Sequence, residues 1–331
     1  MGNESSITVA GGGSWGTALA HLLAERHSAT LWLRDPDVAE AISKDHVNPR
    51  YLPGLPLHPE LVATTDPAAL AADILVLAIP IQRLREWLRA NRKNLRPGQI
   101  VVNAAKGMEL DTLSLPATVV SSEIQKPAPP YATISGPSFA SEVVLGSPTA
   151  VVLASRDEAL ARDLRNRFAT PVFRCYSSSD CKGVELGGAI KNVMAIAAGL
   201  CDGLEYGHNS RAALVTRGLA EMSRIGRECG ARQYTFMGLS GLGDLLLTCT
   251  SDLSRNRQVG LALARGESLD QVTGRLGMVA EGVATTAAMR KFARIRGLRA
   301  PIVEAVHSIL HGGHDPRQVV KELLARTLKE E

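Results

Sequence analysis

The chain has 331 residues, 45% of them apolar and 4% aromatic, and its net charge of +4 is the difference between 37 basic and 33 acidic residues spread along its length. That length and apolar content support two domains, each burying its own core. Without a basic block or many aromatic side chains, the composition excludes the charged footprint and stacking platforms of a nucleic-acid binder. In chain order, residues 1–6 lack the basic and apolar regions of a signal peptide, so no targeting segment is expected, although Gly2 loosely fits an acylation pattern. A strand is predicted from Ile7, followed directly by Gly11-Gly12-Gly13-Ser14-Trp15-Gly16, a G-x-G-x-x-G loop. In a dinucleotide-binding unit the first glycine (Gly11) allows the tight turn, the second (Gly13) lets backbone approach a pyrophosphate, and the third (Gly16) lets the next helix pack on the strand. The phosphate charge then faces unpaired N–H groups at a helix N-terminus.

The helix is predicted over 17–26 and a second strand over 29–33, the timing that such a unit requires. An NAD-selective site places Asp or Glu about 20 residues past the glycines to bind the ribose 2′-hydroxyl, whereas NADP needs a cation there. The position is occupied by Arg34, whose guanidinium suits a 2′-phosphate. NADP(H) is therefore the expected preference, with NAD(H) possible because Asp35 follows at once.

A helix is expected over 36–44 and a proline-rich loop over 48–56. Strands follow at 62–65, 74–79, 100–104, 132–135 and about 150–154. The runs at 74–79 and 100–104 are apolar on both faces, as parallel strands covered by helices on each side are. This reads as an α/β Rossmann-type doubly wound sheet over 1–180 that binds NAD(P), followed by an all-helical substrate-binding and catalytic domain over 181–331. No apolar run is expected to cross a bilayer. The five cysteines are odd in number and lack C-x-x-C spacing, which fits reduced thiols and a cytoplasmic protein rather than disulfides or zinc. His208, His307, His311 and His314 show no metal-binding spacing either, so no metal is expected.

Ligands of such sheets bind beyond the carboxyl ends of the strands. Lys106 follows the 100–104 strand, and Gly136-Pro137-Ser138-Phe139-Ala140 follows the 132–135 strand, so an ammonium, a hydroxyl and backbone N–H groups are candidates for that crevice. In the helical half, Gly183, Gly187, Gly188 and Ala189 form a small-residue side that another backbone can approach. Lys191 stands amid this apolar helix, a costly place for a charge without a partner or a task. Partial burial would bring a lysine towards the range useful for acid/base work. Further on, Asp244 and Thr248 share a helical face if that segment is helical. Ser254 reads as the N-cap of a helix over 256–265, and Arg255 and Asn256 in its first turn make sense as a seat for phosphate.

These motifs together resemble the NAD(P)-dependent glycerol-3-phosphate dehydrogenases of the bacterial type. The likeness runs from Gly-Gly-Gly-Ser-Trp-Gly-Thr-Ala-Leu-Ala through Ala-Ala-Lys-Gly, Gly-Pro-Ser-Phe-Ala, Ile-Lys-Asn-Val-Met-Ala-Ile-Ala-Ala-Gly, Gly-Leu-Gly-Asp-Leu-Leu-Leu-Thr-Cys and Ser-Arg-Asn-Arg to Ala-Glu-Gly-Val. Departures are small: Gly12 stands where alanine is common, and Ala280 precedes Glu281 where another residue is usual. The resemblance implies reversible reduction of dihydroxyacetone phosphate to sn-glycerol 3-phosphate for phospholipid synthesis. It implies Lys191 as general acid/base, with Lys106 and Asp244 orienting the substrate and Asn192, Thr248, Arg255 and Asn256 as further contacts. It assigns Ser14, Trp15, Arg34, Tyr51, Lys106, Gly136, Ala140, Arg255, Val279 and Glu281 to the cofactor, and Gly136, Ser138 and Ser254 to substrate or cofactor. Glu281 is expected to reach across a cleft that domain closure completes. A small phosphorylated substrate, no membrane insertion and a homodimer complete the expectation. Two alternatives stay open: another Rossmann-plus-helical 2- or 3-hydroxyacid dehydrogenase, and a non-catalytic NAD(P) sensor.

Overall fold

The computed structural model describes residues 5–124, 127–276 and 280–325. The chain divides into two compact units, residues 1–106 with 116–181, and residues 107–115 with 182–331.

In the first unit, strands β1 (Ile7–Ala10), β2 (Ala29–Trp32), β3 (Val47–Asn48), β4 (Leu52–Pro56), β5 (Val62–Thr64), β6 (Ile74–Leu77), β7 (Ile100–Asn103), β8 (Tyr131–Ser135), β9 (Thr149–Ala154) and β10 (Phe173–Ser178) alternate with helices α1 (Ser14–Ala24), α2 (Pro36–Asp45), α3 (Ile81–Asn91), α4 (Pro116–Glu123), α5 (Ala140–Val144) and α6 (Glu158–Phe168). Eight strands form one sheet in the order β10-β9-β8-β7-β6-β1-β2-β5. From β5 to β8 every pairing is parallel. Successive residues of the central strands go to opposite faces: Ile74 and Val76 join the core under α1, α2, α5 and α6, while Leu75 and Leu77 join the core under α3 and α4. Burial on both faces is why these strands read as unbroken apolar runs.

Three details depart from the sequence expectation. The segment 48–56 is not a plain loop, because β3 and β4 pair antiparallel as a small ribbon; its prolines are tolerated where no ladder continues. The β9 strand joins β8 antiparallel, so the sheet is mixed rather than wholly parallel. The tenth strand escaped the reading altogether: at the sheet edge only Phe173 and Cys175 point inward, while Arg174 and Tyr176 are exposed.

The second unit contains α7 (Cys181–Gly203), α8 (Gly207–Glu228), α9 (Asp244–Thr250), α10 (Arg255–Ala264), α11 (Leu269–Leu276), α12 (Glu281–Ile295), α13 (Pro301–Gly312) and α14 (Pro316–Leu324). Contrary to expectation, α7 is long and apolar enough to cross a membrane, with a mean hydropathy of 1.4 over its best window, yet that window is wholly buried. It is the central helix of the second core, where Ile190, Val193, Met194 and Ile196 meet Met222, Leu245, Val259 and Met289. Residues of α7 and α10 approach to backbone contact: a Cβ on Gly260 would lie 2.1 Å from the Ile196 carbonyl oxygen, and one on Gly199 would lie 2.0 Å from that of Arg257.

Candidate active site

At the carboxyl edge of the parallel strands, the glycine loop links β1 to α1. Gly11 has φ of 123°, and a Cβ on Gly16 would lie 1.9 Å from the Gly11 carbonyl oxygen, so neither position admits a side chain. Over Gly13 nothing lies within 4 Å of where a Cβ would be. Gly13 is also the N-cap of α1, with no side chain to cap it and no acidic residue in the first turn. Open space over uncapped N–H groups fits the pyrophosphate of a dinucleotide. Beside it, Trp15 Nε1 is buried with no hydrogen-bond acceptor among the described residues.

The small ribbon holds this loop in place. Asn48, fully buried, donates through Nδ2 to the Gly12 carbonyl oxygen at 3.1 Å and to Thr17 Oγ1 at 2.8 Å. Its Oδ1 accepts the Tyr51 N–H at 3.1 Å, and Ser14 Oγ donates to the Tyr51 carbonyl oxygen at 3.0 Å. Ser14 and Tyr51, distant in sequence, are thus joined. Nothing in the local pattern around Asn48 singled it out, since its partners lie on another element.

Arg34 is exposed just past β2. Asp35 is the N-cap of α2, accepting the Val38 N–H at 3.4 Å. Past β7 and β8, Lys106 Nζ donates to the Gly136 carbonyl oxygen at 3.4 Å, and Ser138 Oγ donates to the same atom at 3.0 Å. Ala140 opens α5. Lys106, Gly136 and Ser138 are therefore one cluster.

In the second unit, Lys191 Nζ donates to Asp244 Oδ1 at 2.7 Å and to Thr248 Oγ1 at 2.8 Å. Lys191 is 7% exposed and Asp244 1%. A buried ion pair persists only where geometry and further hydrogen bonds offset desolvation, and Thr248 supplies such a bond while its hydroxyl donates to the Asp244 carbonyl oxygen at 2.6 Å. Asp244 follows a π-helical turn, Leu239–Gly243, whose Ser240 backbone packs where Gly187 of α7 has no side chain. The small-residue stretch thus serves to bring Asp244 to Lys191. Cys249, next to Thr248, has its thiol pushed up to about 12 by burial and is no nucleophile.

Ser254 caps α10, accepting the Arg257 N–H at 3.2 Å, and the helix begins at Arg255, one residue earlier than expected. Arg255 is exposed in that first turn. Asn256 Oδ1 accepts the Gly282 N–H at 3.0 Å, which ties α10 to the start of α12, and Asn192 is buried beside it: a Cβ on Gly282 would lie 2.9 Å from the Asn192 carbonyl oxygen. Glu281 is the half-buried first residue of α12. Val279 and Gly2 lie outside the described residues. The sequence reading missed Asp202, which pairs with Arg257 at 2.7 Å and with Arg211 at 3.1 Å. Its signal was the second arginine of Ser-Arg-Asn-Arg, buried and in need of an acid.

Residues 6–161 match the model of the NAD-dependent glycerol-3-phosphate dehydrogenase N-terminus, and residues 180–321 match that of the C-terminus. A glycerol-3-phosphate dehydrogenase [NAD(P)+] of Desulfovibrio desulfuricans is 60% identical with full coverage of both chains. One of Geobacter sulfurreducens is 49% identical over 98% of each. Among solved structures, glycerol-3-phosphate dehydrogenase from Coxiella burnetii superposes with a TM-score of 0.93 at 39% identity, covering 98% of this chain and 99% of that one. With both family models matched and relatives this similar along the whole chain, the protein belongs to the NAD-dependent glycerol-3-phosphate dehydrogenase family.

Proposed function

We propose that this enzyme reversibly reduces dihydroxyacetone phosphate to sn-glycerol 3-phosphate with NAD(P)H, supplying glycerophospholipid synthesis. The observation that carries the reading is Lys191, a buried ammonium held by Asp244 and Thr248 in the middle of the central helix α7. When bound, the reduced nicotinamide supplies the hydride. Lys191 Nζ gives a proton to the substrate's carbonyl oxygen as that oxygen becomes a carbinol, and takes it back in the oxidative direction. Asp244 and Thr248 hold Nζ in place, which supplies orientation rather than a further proton transfer.

The remaining assignments follow the family. The first unit is the NAD(P)-binding domain, with Gly11, Gly13, Ser14, Trp15, Gly16, Arg34, Tyr51 and Ala140 at the cofactor and Lys106, Gly136 and Ser138 at substrate or cofactor. The second is the substrate domain, where Asn192, Ser254, Arg255 and Asn256 bind the substrate and its phosphate, with Arg255, Val279 and Glu281 also at the cofactor. Exposed Arg34, beside an Asp35 engaged as a helix cap, supports NADP(H) as the preferred dinucleotide with NAD(H) also accepted. The five free thiols support a cytoplasmic setting, and a two-fold homodimer is the assembly we assign on the prevalence of that symmetry.

The test is loss of reduced-nicotinamide absorbance when dihydroxyacetone phosphate is added with NADPH, then with NADH. Wild-type protein is expected to turn over, and Lys191→Ala to lose about 10²–10⁴-fold in kcat. Tight dinucleotide binding without turnover would replace the dehydrogenase by the sensor.

A further inference from the structure

The end of β2 holds more charge than the position of Arg34 alone reveals. The turn between β3 and β4 carries Arg50 to this place, where its Nη1 lies 3.4 Å from Asp35 Oδ2. Asp35 Oδ1 meanwhile accepts the Val38 N–H as the α2 cap. Each oxygen of the carboxylate that follows Arg34 therefore already has a partner. Arg50 also lies against the Tyr51 ring, with its guanidinium carbon 5.3 Å from the ring centroid, and its side chain is 62% exposed. Arg34 itself stands exposed just past β2.

We propose that Arg50 is a specificity-determining residue for the dinucleotide: it keeps Asp35 from the adenosine ribose and presents a second guanidinium, with Arg34, to the 2′-phosphate. The inference rests on the dehydrogenase reading above. Two planar donor forks suit a phosphate dianion better than one. Stacking on Tyr51 orders the Arg50 side chain before the ligand arrives, which lowers the entropy cost of the contact. The ribbon that the sequence reads as a loop thus has two tasks, steadying the glycine turn through Asn48 and reading the adenosine end through Arg50.

The experiment is calorimetric binding of NADPH and of NADH, without substrate, to wild type, Arg50→Ala, Arg50→Lys and Arg34→Ala, with melting temperatures as a folding control. For Arg50→Ala the NADPH dissociation constant is expected to rise about tenfold while that of NADH changes by less than about twofold. Arg50→Lys is expected to recover part of the loss, since it keeps the charge without the fork. Added salt is expected to shrink the NADPH difference between wild type and Arg50→Ala. Equal weakening of both dinucleotides, unchanged NADPH binding in Arg50→Ala, or a wild type that binds NADH more tightly would each overturn the inference and leave the dehydrogenase standing. A folded wild type that binds neither dinucleotide would overturn both.

Discussion

Lys191 is held in an apolar helix because two oxygen atoms of α9 meet its ammonium group. The sequence shows that such a lysine needs a partner, and a motif further on contains the acid, but only the structure joins them. Glu221 is the opposite case. Nothing marks it in the sequence of α8, yet it is buried, and its two carboxylate oxygens accept the Ile302 and Val303 N–H groups at 3.0 and 3.1 Å, so it caps α13 from another helix. Burial raises its pKa to about 7, overcoming those two bonds and Arg224, which lower it. Since the folded value lies above the unfolded one, the folded state binds more protons between the two. The contribution of Glu221 to stability is thus fully present below about 4.5 and is lost as pH rises through about 7. Urea denaturation of wild type and Glu221→Gln over pH 4 to 8 is expected to show wild type losing ground to the variant as pH rises, with an amplitude on the order of 3 kcal/mol. A pH-independent difference between the two proteins would contradict this.

At the scale of elements, the glycine loop was legible because its defining sequence pattern is local: a strand, a turn requiring Gly11 and a helix from Ser14 that packs close at Gly16. The β3–β4 ribbon was not, because Pro53, Gly54 and Pro56 are breakers by local chemistry and pairing of the two segments offsets that only in place. Edge strand β10 was lost for a related reason, since exposed Arg174 and Tyr176 dilute its apolar signal. The ribbon and the loop are coupled by Asn48. Replacing it by Ala leaves the Gly12 carbonyl and the Tyr51 N–H without this partner, at a cost of about 1–3 kcal/mol. Asn48→Ala is therefore expected to lower the urea midpoint and to weaken NADPH and NADH alike, in contrast to Arg50→Ala. Binding of both dinucleotides at wild-type strength would show that the loop holds its shape without Asn48.

At the scale of the molecule, each unit closes its own core: the first on both faces of its sheet, the second around α7. A ligand that binds only the folded chain stabilises it by mass action. At one hundred times its dissociation constant, NADPH is expected to add about 2.7 kcal/mol and to raise the melting temperature by about 5 °C. Scanning calorimetry checks this, and an unchanged melting curve would argue against a dinucleotide site. The sequence by itself determined the class of fold, the glycine turn, the cation after β2, the lysine in search of an acid and the family, because each is written in short-range spacing or in motifs read in order. The tertiary structure alone decided that Asn48 grips the glycine loop, that Arg50 pairs with Asp35, that Glu221 caps a distant helix and that α7 lies buried in the second core. Asn48, Glu221 and α7 meet partners tens of residues away, and such pairings depend on how helices and strands pack, which no local window of sequence contains.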